Sequence, residues 1–310
     1  MRITDKNKRL HISLDTISYF EMNEFNYYSK YNIRNFVFNN KLFSSLYRRL
    51  NVQLVVTNKC PYNCPFCIEK INPSNKKIEN FNPVNQLKNL KELLLILKCA
   101  GLEPTVSITG GEPTLYLNHI INVAKLLDEL GINYNLNTSG FCNDMRLLEY
   151  FSRINLSVHS NNDLINSSIF GVNRGDYYNY EIYKNATIQR VIVNNDFDNL
   201  LNFINSFSQK RISLRIISRA EDEPSFDFKP LFDRINEDSR FIFLQQKIGD
   251  YYFFEEYKFG DKLLRFSFSD LEQLKYYKDN YEFDANFVRA AIVLADGSVK
   301  FDWINKVKRK

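Results

Sequence analysis

Apolar positions along the middle of the chain follow two alternating rhythms. Short runs such as Gln53-Leu54-Val55-Val56-Thr57 and Thr105-Val106-Ser107-Ile108 have the length and β-branched content of strands. Between them, Val84, Leu87, Leu90, Leu93, Leu94 and Leu97 recur at helical spacing, behind Asn82-Pro83 as a cap and first turn and ahead of Gly101 as a stop. The pattern repeats. A helix over Asn118 to Leu130 buries Ile120, Ile121, Ala124 and Leu127, and strands follow at Asn133 to Asn137, Asn155 to His159, Gln189 to Val193 and Ile212 to Ile217. Asn143 to Phe151 and Asp196 to Ser208 read as the intervening helices. Each strand is followed by a connection long enough for the crossover that a parallel neighbour requires. Six such units are too few for a closed eight-stranded barrel. The expected fold is α/β, a partial (β/α)6 barrel over residues 51–219 with an open side.

The flanks have a different texture. Residues 1–50 carry β-like runs at His11-Ile12-Ser13-Leu14 and Phe36-Val37-Phe38, a turn at Asn39-Asn40 and an expected helix from Lys41 to Leu50. This segment reads as a cap on the barrel or as a substrate-recognition element. Residues 220–310 read as a small α+β extension packed on the open side. It holds a helix over Pro230 to Asn236, a hairpin around Gly260-Asp261, a helix over Ser269 to Asn280 and a second hairpin around Ala295-Asp296-Gly297-Ser298.

The first barrel strand runs into Cys60-Pro61-Tyr62-Asn63-Cys64-Pro65-Phe66-Cys67. One short loop thus carries three thiols, at the strand end where α/β folds keep their active sites. Thiolates suit iron–sulfur clusters. Three cysteines on a four-iron cluster leave one iron open for a ligand. A structural zinc loop is the alternative, although no fourth ligand falls at finger spacing. The second strand ends in Ser107-Ile108-Thr109-Gly110-Gly111-Glu112-Pro113.

The cysteine spacing, with an aromatic before the third cysteine, and the Gly-Gly-Glu-Pro stretch together resemble the radical S-adenosylmethionine (SAM) superfamily over roughly residues 51–218. Within it, the C-terminal extension is similar to that of the molybdenum-cofactor cyclases and peptide maturases. The resemblance implies one [4Fe–4S] cluster on Cys60, Cys64 and Cys67, with SAM on the open iron. Reductive cleavage of SAM would then give a 5′-deoxyadenosyl radical that abstracts a substrate hydrogen. It implies Phe66 beside the adenine, Gly110, Gly111 and Pro113 around the cofactor, and Glu112 on the methionyl ammonium. Hydroxyls of Thr138, Ser139 and Ser157 would face the ribose and carboxylate. His159, Asn194 and Arg215 lie at or near further strand ends. His159 reads equally as a structural histidine, and Arg215 as a partner of SAM or of a barrel glutamate. Cys142, after the third strand, is the candidate hydrogen donor; a small buried residue is the plainer reading. No cysteine follows Cys142, so the auxiliary cluster of those relatives has no ligands here.

Composition adds bounds. With 310 residues, 44% hydrophobic and 25% charged, the chain is of ordinary globular type. Its net charge of +5 is scattered except at Lys306-Val307-Lys308-Arg309-Lys310, which reads as a solvated terminus, and nucleic acid is not an expected partner. The N-terminus lacks a signal-peptide core, and no apolar run nears the roughly 20 residues of a membrane span. A cytoplasmic setting is expected, with a flavodoxin- or ferredoxin-type electron donor. The substrate reads as a peptide to be epimerised or cross-linked. The alternative is a nucleotide or other phosphorylated small molecule, met by Arg174, Arg190 and Arg219. A non-enzymatic metal-binding protein is the third reading.

Overall fold

In the computed structural model the described residues are 34–45, 48–67, 81–142, 144–171, 180–216, 228–248, 252–269, 288 and 290–301. The expected strand at His11 to Leu14 and helix at Ser269 to Asn280 lie outside them. In chain order the elements are β1 (Arg34–Phe38), β2 (Lys41–Ser45), β3 (Arg49–Val55), α1 (Pro83–Cys99), β4 (Glu103–Thr109), α2 (Leu117–Glu129), β5 (Tyr134–Thr138), α3 (Arg146–Tyr150), β6 (Ile154–Ser157) and α4 (Asp163–Phe170). Then come β7 (Thr187–Ile192), α5 (Phe197–Ser206), β8 (Arg211–Ile216), α6 (Lys229–Glu237), β9 (Phe241–Ile248), β10 (Tyr252–Phe259), β11 (Lys262–Ser269), β12 (Ala290–Val293) and β13 (Val299–Phe301). The six expected barrel strands are present as β3 to β8. The helix α4 and the strand β9 were not expected. The fold is α/β with a mainly parallel sheet, of the partial-barrel type.

The chain divides into two compact units. One comprises residues 27–157, 167–185 and 283–310. There β3, β4, β5 and β6 lie side by side in parallel, and α1 and α2 supply the apolar cover. Asn82 caps α1, its Oδ1 accepting from Asn85 N at 3.0 Å, with Pro83 in the first turn. Leu90, Leu93, Leu94 and Leu97 are buried as their spacing predicts, but Val84 is exposed. The inward place near the start of α1 belongs to Gln86 instead. Its Nε2 donates to Val55 O at 3.0 Å and Leu294 O at 2.7 Å, and its Oε1 lies 2.7 Å from His119 Nε2.

Gln86 thereby ties the C-terminal hairpin to the first barrel strand. β12 lies parallel beside β3, with Ala291 opposite Val52, and β13 returns antiparallel. The extension lengthens the sheet here, which covers a strand edge that would otherwise be unpaired. Gly297 makes the close approach possible: its φ is +87° and a Cβ would stand 2.7 Å from Asn85 C.

The expected helix from Lys41 to Leu50 is instead strand, β2 followed by the start of β3. The reason is local. Asn39 and Asn40 take φ of 46° and 60°, the paired left-handed geometry of a type I′ turn, and Phe38 pairs with Lys41. The hairpin is anchored by Phe301, whose ring lies 4.3 Å from Phe43 and 5.6 Å from Phe38.

The other unit comprises residues 1–26, 158–166 and 186–282. There β7 and β8 are parallel, and β11 joins β8 in parallel, with Leu264 opposite Ile212. β10 and β9 add antiparallel strands. Phe232 of α6 packs edge-on to Phe266, and Tyr257 meets Phe241 and Phe266. Glu256, 4% exposed, accepts from Arg265 Nη2 at 2.6 Å. That bond and one from Gln245 outweigh its burial and hold its carboxyl below the usual range. No helix among the described residues is long and apolar enough to cross a membrane.

Two predictions follow from the Gln86 joint. Gln86→Leu keeps the bulk but strands two carbonyls and an imidazole, so it should lower unfolding stability by about 2–4 kcal/mol. A urea titration showing less than about 0.5 kcal/mol would contradict the joint. Burial pushes His119 down from 6.5 to about 4. Between those values the folded imidazole binds fewer protons than the unfolded one, so its contribution is full above 6.5 and is lost as pH falls toward 4. The pH slope of thermal stability over that window should be shallower in His119→Asn than in wild type.

Candidate active site

Beyond the ends of β3 and β4 the two chains stay zipped. Val56 N donates to Thr109 O at 2.8 Å, Gly111 N to Thr57 O at 2.6 Å and Glu112 N to Lys59 O at 2.9 Å. Thr57 Oγ1 accepts from Lys59 N at 3.0 Å, which turns the backbone into the cysteine loop. The two glycines are what this needs. Gly110 has φ +142°, and a Cβ there would lie 2.5 Å from Thr57 O; at Gly111 it would lie 2.2 Å from Lys59 O. The sequence reading set these glycines toward a ligand. The atoms that approach them are carbonyls of the chain leading into Cys60.

Glu112, 1% exposed, is the hub of the next layer. Its Oε1 accepts from Thr114 N at 3.1 Å, Thr114 Oγ1 at 2.6 Å and Thr138 Oγ1 at 2.7 Å. Its Oε2 accepts from Ser139 N at 2.8 Å and from Ser139 Oγ. Five donors meet two oxygens that offer about four lone-pair sites. Pro113 starts the short 3-10 turn Pro113–Tyr116, which Glu112 caps. Thr138 Oγ1 also accepts from Gly140 N at 3.0 Å. Glu112, Thr138 and Ser139 are therefore brought together, bonded to one another. Thr114 was not anticipated; a hydroxyl two residues after a glutamate is a weak signal.

The cysteine loop leans on its own unit at the far side. Asn63 N donates to Phe170 O at 2.8 Å, and the Tyr62 ring stands edge-on to Phe170 at 4.9 Å. Cys67 N donates to Cys64 O at 3.3 Å, folding the last two cysteines into one turn with Phe66 half-buried between them. Cys60 is exposed, and Cys64 and Cys67 are half-buried. Desolvation pushes the Cys60 thiol up to about 12, and Glu112, Cys64 and Cys67 push it the same way against the backbone hydrogen bond from Tyr62. The three sulfurs and the Glu112 carboxylate thus share one local field. Metal loading there must displace protons.

Among the described residues no three His, Cys, Asp or Glu side chains are drawn tightly enough to share one metal ion. A four-iron cluster asks for something else, since each cysteine would take a different iron. Donor type and loop length fit such a cluster.

Cys142 is half-buried, and its carbonyl accepts from Tyr183 Oη at 2.7 Å. Burial raises the Tyr183 hydroxyl, aided by Cys142, Glu112 and Asp144, so this tyrosine sits in the same field as the glutamate. Ser157 is half-buried at the end of β6. His159, Asn194 and Arg215 belong to the other unit. His159 is buried, its Nδ1 accepting from Val191 N at 3.4 Å and its backbone N–H held by Asn166 Oδ1. Asn194 is exposed and accepts from Asp196 N in the turn before α5; Arg215 is on the exposed face of β8. Arg190 turns onto α5, its guanidinium 4.6 Å from the Phe203 ring and bonded to Asn199.

A family model described as the radical SAM superfamily matches residues 54–216, just over half of the chain. The radical SAM cyclopropyl synthase TigE of Paramaledivibacter caminithermalis is 31% identical over 130 residues, which are 38% of this chain and 28% of that protein. GTP 3′,8-cyclase of Campylobacter jejuni is 25% identical over 203 residues, 58% of this chain and 59% of that protein. The chain thus spans less than two thirds of the length of these relatives. The fold is like that of Streptococcus suis SuiB bound to S-adenosylmethionine, with a TM-score of 0.54 at 16% identity over 81% of this chain and 59% of that one.

The zipper predicts that Gly111→Ala disturbs the cysteine loop before it disturbs the core. A methyl group 2.2 Å from Lys59 O must displace backbone. Iron incorporated on anaerobic reconstitution should fall to less than half of wild type while the far-ultraviolet circular dichroism spectrum is retained. Full iron content in this variant would contradict the zipper.

Proposed function

The chain belongs to the radical SAM superfamily of enzymes, and from that premise we propose that it cleaves SAM at a single [4Fe–4S] cluster to modify a peptide. Cys60, Cys64 and Cys67 would hold the cluster. When bound, the cluster supplies the electron that breaks SAM into methionine and a 5′-deoxyadenosyl radical, which takes a hydrogen atom from substrate. The observation that carries this reading is that one loop carrying three thiols is zipped to the Gly-Gly-Glu stretch. A flavodoxin- or ferredoxin-type donor would deliver the electron.

The chain's own residues would divide the work. Gly110 and Gly111 fix the loop, and Pro113 starts the turn capped by Glu112. Phe66, between the second and third cysteines, offers a ring face to the adenine. Glu112 already takes five protein donors. Its charge would therefore reach the methionyl ammonium only by trading one of them, which makes Thr138 and Ser139 its positioning residues as much as ligands of the ribose. Ser157, His159, Asn194 and Arg215 remain the further candidates for SAM. Cys142, carried on the loop after β5, would return a hydrogen atom in an epimerising reaction.

A second reading, a phosphorylated or nucleotide substrate, is favoured by the match to GTP 3′,8-cyclase over 203 residues. The disposition of Arg190 weighs against it. Its guanidinium lies over Phe203, and burial pushes it down to about 10. Arg174 and Arg219 fall outside the described residues.

Anaerobically reconstituted protein should carry about four irons per chain with the broad visible absorption of thiolate-ligated clusters. Changing Cys60, Cys64 and Cys67 together to Ala should abolish both. The pair Cys99→Ala and Cys142→Ala should change neither, because a second cluster ordinarily takes about four cysteines of its own. Iron retained in the triple variant, or about eight irons in wild type, would contradict the single-cluster reading.

A further inference from the structure

Parallel strands covered on both faces read as near-continuous apolar runs. β3 to β6 do not. Leu50, Val52 and Leu54 of β3, Val106 and Ile108 of β4, Leu136 of β5, and Ile154 and Leu156 of β6 are buried on one face. The residues between them, from Asn51 to Ser157, are half-buried amides and hydroxyls, apart from the strand starts, where Glu103 pairs with Arg48 and Arg49. Helices cover the apolar side of a (β/α) barrel, so the polar side is its inner wall.

That wall is ordered. Ser107 Oγ lies 3.1 Å from both Asn51 Oδ1 and Asn135 Oδ1 and shares its hydroxyl between them. Asn135 Nδ2 donates to Asn137 Oδ1 at 3.3 Å, and Asn155 Nδ2 donates to the same oxygen at 2.8 Å. The chain of bonds crosses four strands, and Asn137 stands opposite Asn155 in register. Its donor count leaves a remainder. Each of these two amides spends one of its two N–H donors on Asn137 Oδ1; Asn137 Nδ2 keeps both of its own, and Asn155 Oδ1 keeps its lone pairs. Among the described residues neither Asn137 Nδ2 nor Asn155 Oδ1 takes part in the bonds of this chain, and neither is among the fully buried atoms that lack a partner. Neighbouring strands thus offer a donor and an acceptor side by side, and past their first residues β3 to β6 carry no charged side chain.

We infer that this carboxamide wall binds the main chain of a peptide, with Asn137 donating to a peptide carbonyl and Asn155 accepting from a peptide N–H. The inference rests on the peptide reading proposed above and assigns the peptide's main chain a binding surface. A secondary amide presents the complementary pair without charge. A phosphate would find carboxamide oxygens and no counter-charge on these strands, and an apolar substrate would leave the wall's polar atoms unpaired.

Asn137→Asp tests this with little risk to the fold. One carboxylate oxygen can still accept from Asn135 and Asn155, while the outward donors become an acceptor. The probe is a capped peptide selected from a random nonapeptide display library on reconstituted wild-type enzyme with SAM, its affinity read by fluorescence anisotropy. Asn137→Asp should weaken that peptide tenfold or more, with iron content and SAM affinity kept. N-methylation of the peptide at the contacted amide should weaken wild type similarly and the variant little further. Unchanged peptide affinity in Asn137→Asp, no peptide retained by wild type, or GTP displacing the peptide would overturn the inference. Failure of wild type to hold iron or SAM would instead overturn the cluster reading beneath it, which the same samples report separately.

Discussion

A buried carboxylate is costly unless every lone pair is met, and the Glu112 side chain is the point at which this chain meets that condition. Thr114 serves it from its own turn, and Thr138 and Ser139 serve it from the end of β5. The backbone of the same residue holds Lys59 O, one residue before the first cysteine. One residue therefore joins the ends of the first three barrel strands. The loop that carries the thiols is fixed at its root by this arrangement, and at its middle by Asn63 and Tyr62 against Phe170. Gly110 and Gly111, which flank that root from the end of β4, are small because backbone, before any ligand, fills the space beside them.

A similar economy holds away from the site. Gln86 satisfies carbonyls of β3 and of the C-terminal hairpin while engaging His119, so the hairpin and the barrel's first strand share one polar joint. The N-terminal hairpin closes on the same edge through Phe43 and Phe301. Residues far apart in sequence thus brace β3 from the side opposite β4. The barrel's inner wall repeats the logic with amides, where each hydrogen bond orients the next and leaves defined donors and acceptors at its surface.

Much of this was legible in the chain. Strands β3 to β8 and helices α1, α2 and α5 stand where apolar rhythm and caps put them, because those signals are local. The failures were also local in cause. Lys41 to Leu50 has a helix-compatible composition, but the left-handed pair Asn39-Asn40 commits the chain to a hairpin. Phe241 to Ile248 starts with four apolar residues in a row and runs through Gln-Gln-Lys before Ile248, without the clean alternation of a strand. In the site, spacing alone picked out the cysteines. What the hydroxyls of Thr138 and Ser139 touch was not legible, since their partner lies 26 and 27 residues away. The alternating asparagines of β5 were visible, yet only pairing across four strands turns them into a surface.

The central claim is that Cys60, Cys64 and Cys67, held by the Glu112 layer, form a centre that reductively cleaves SAM. The most direct measurement is product formation by the anaerobically reconstituted chain under dithionite, followed by chromatography. The account predicts 5′-deoxyadenosine and methionine in equal amounts, both absent when Cys60 is replaced by Ala. A chain with its full complement of iron that forms no deoxyadenosine, or a Cys60→Ala variant that forms as much as wild type, would contradict it.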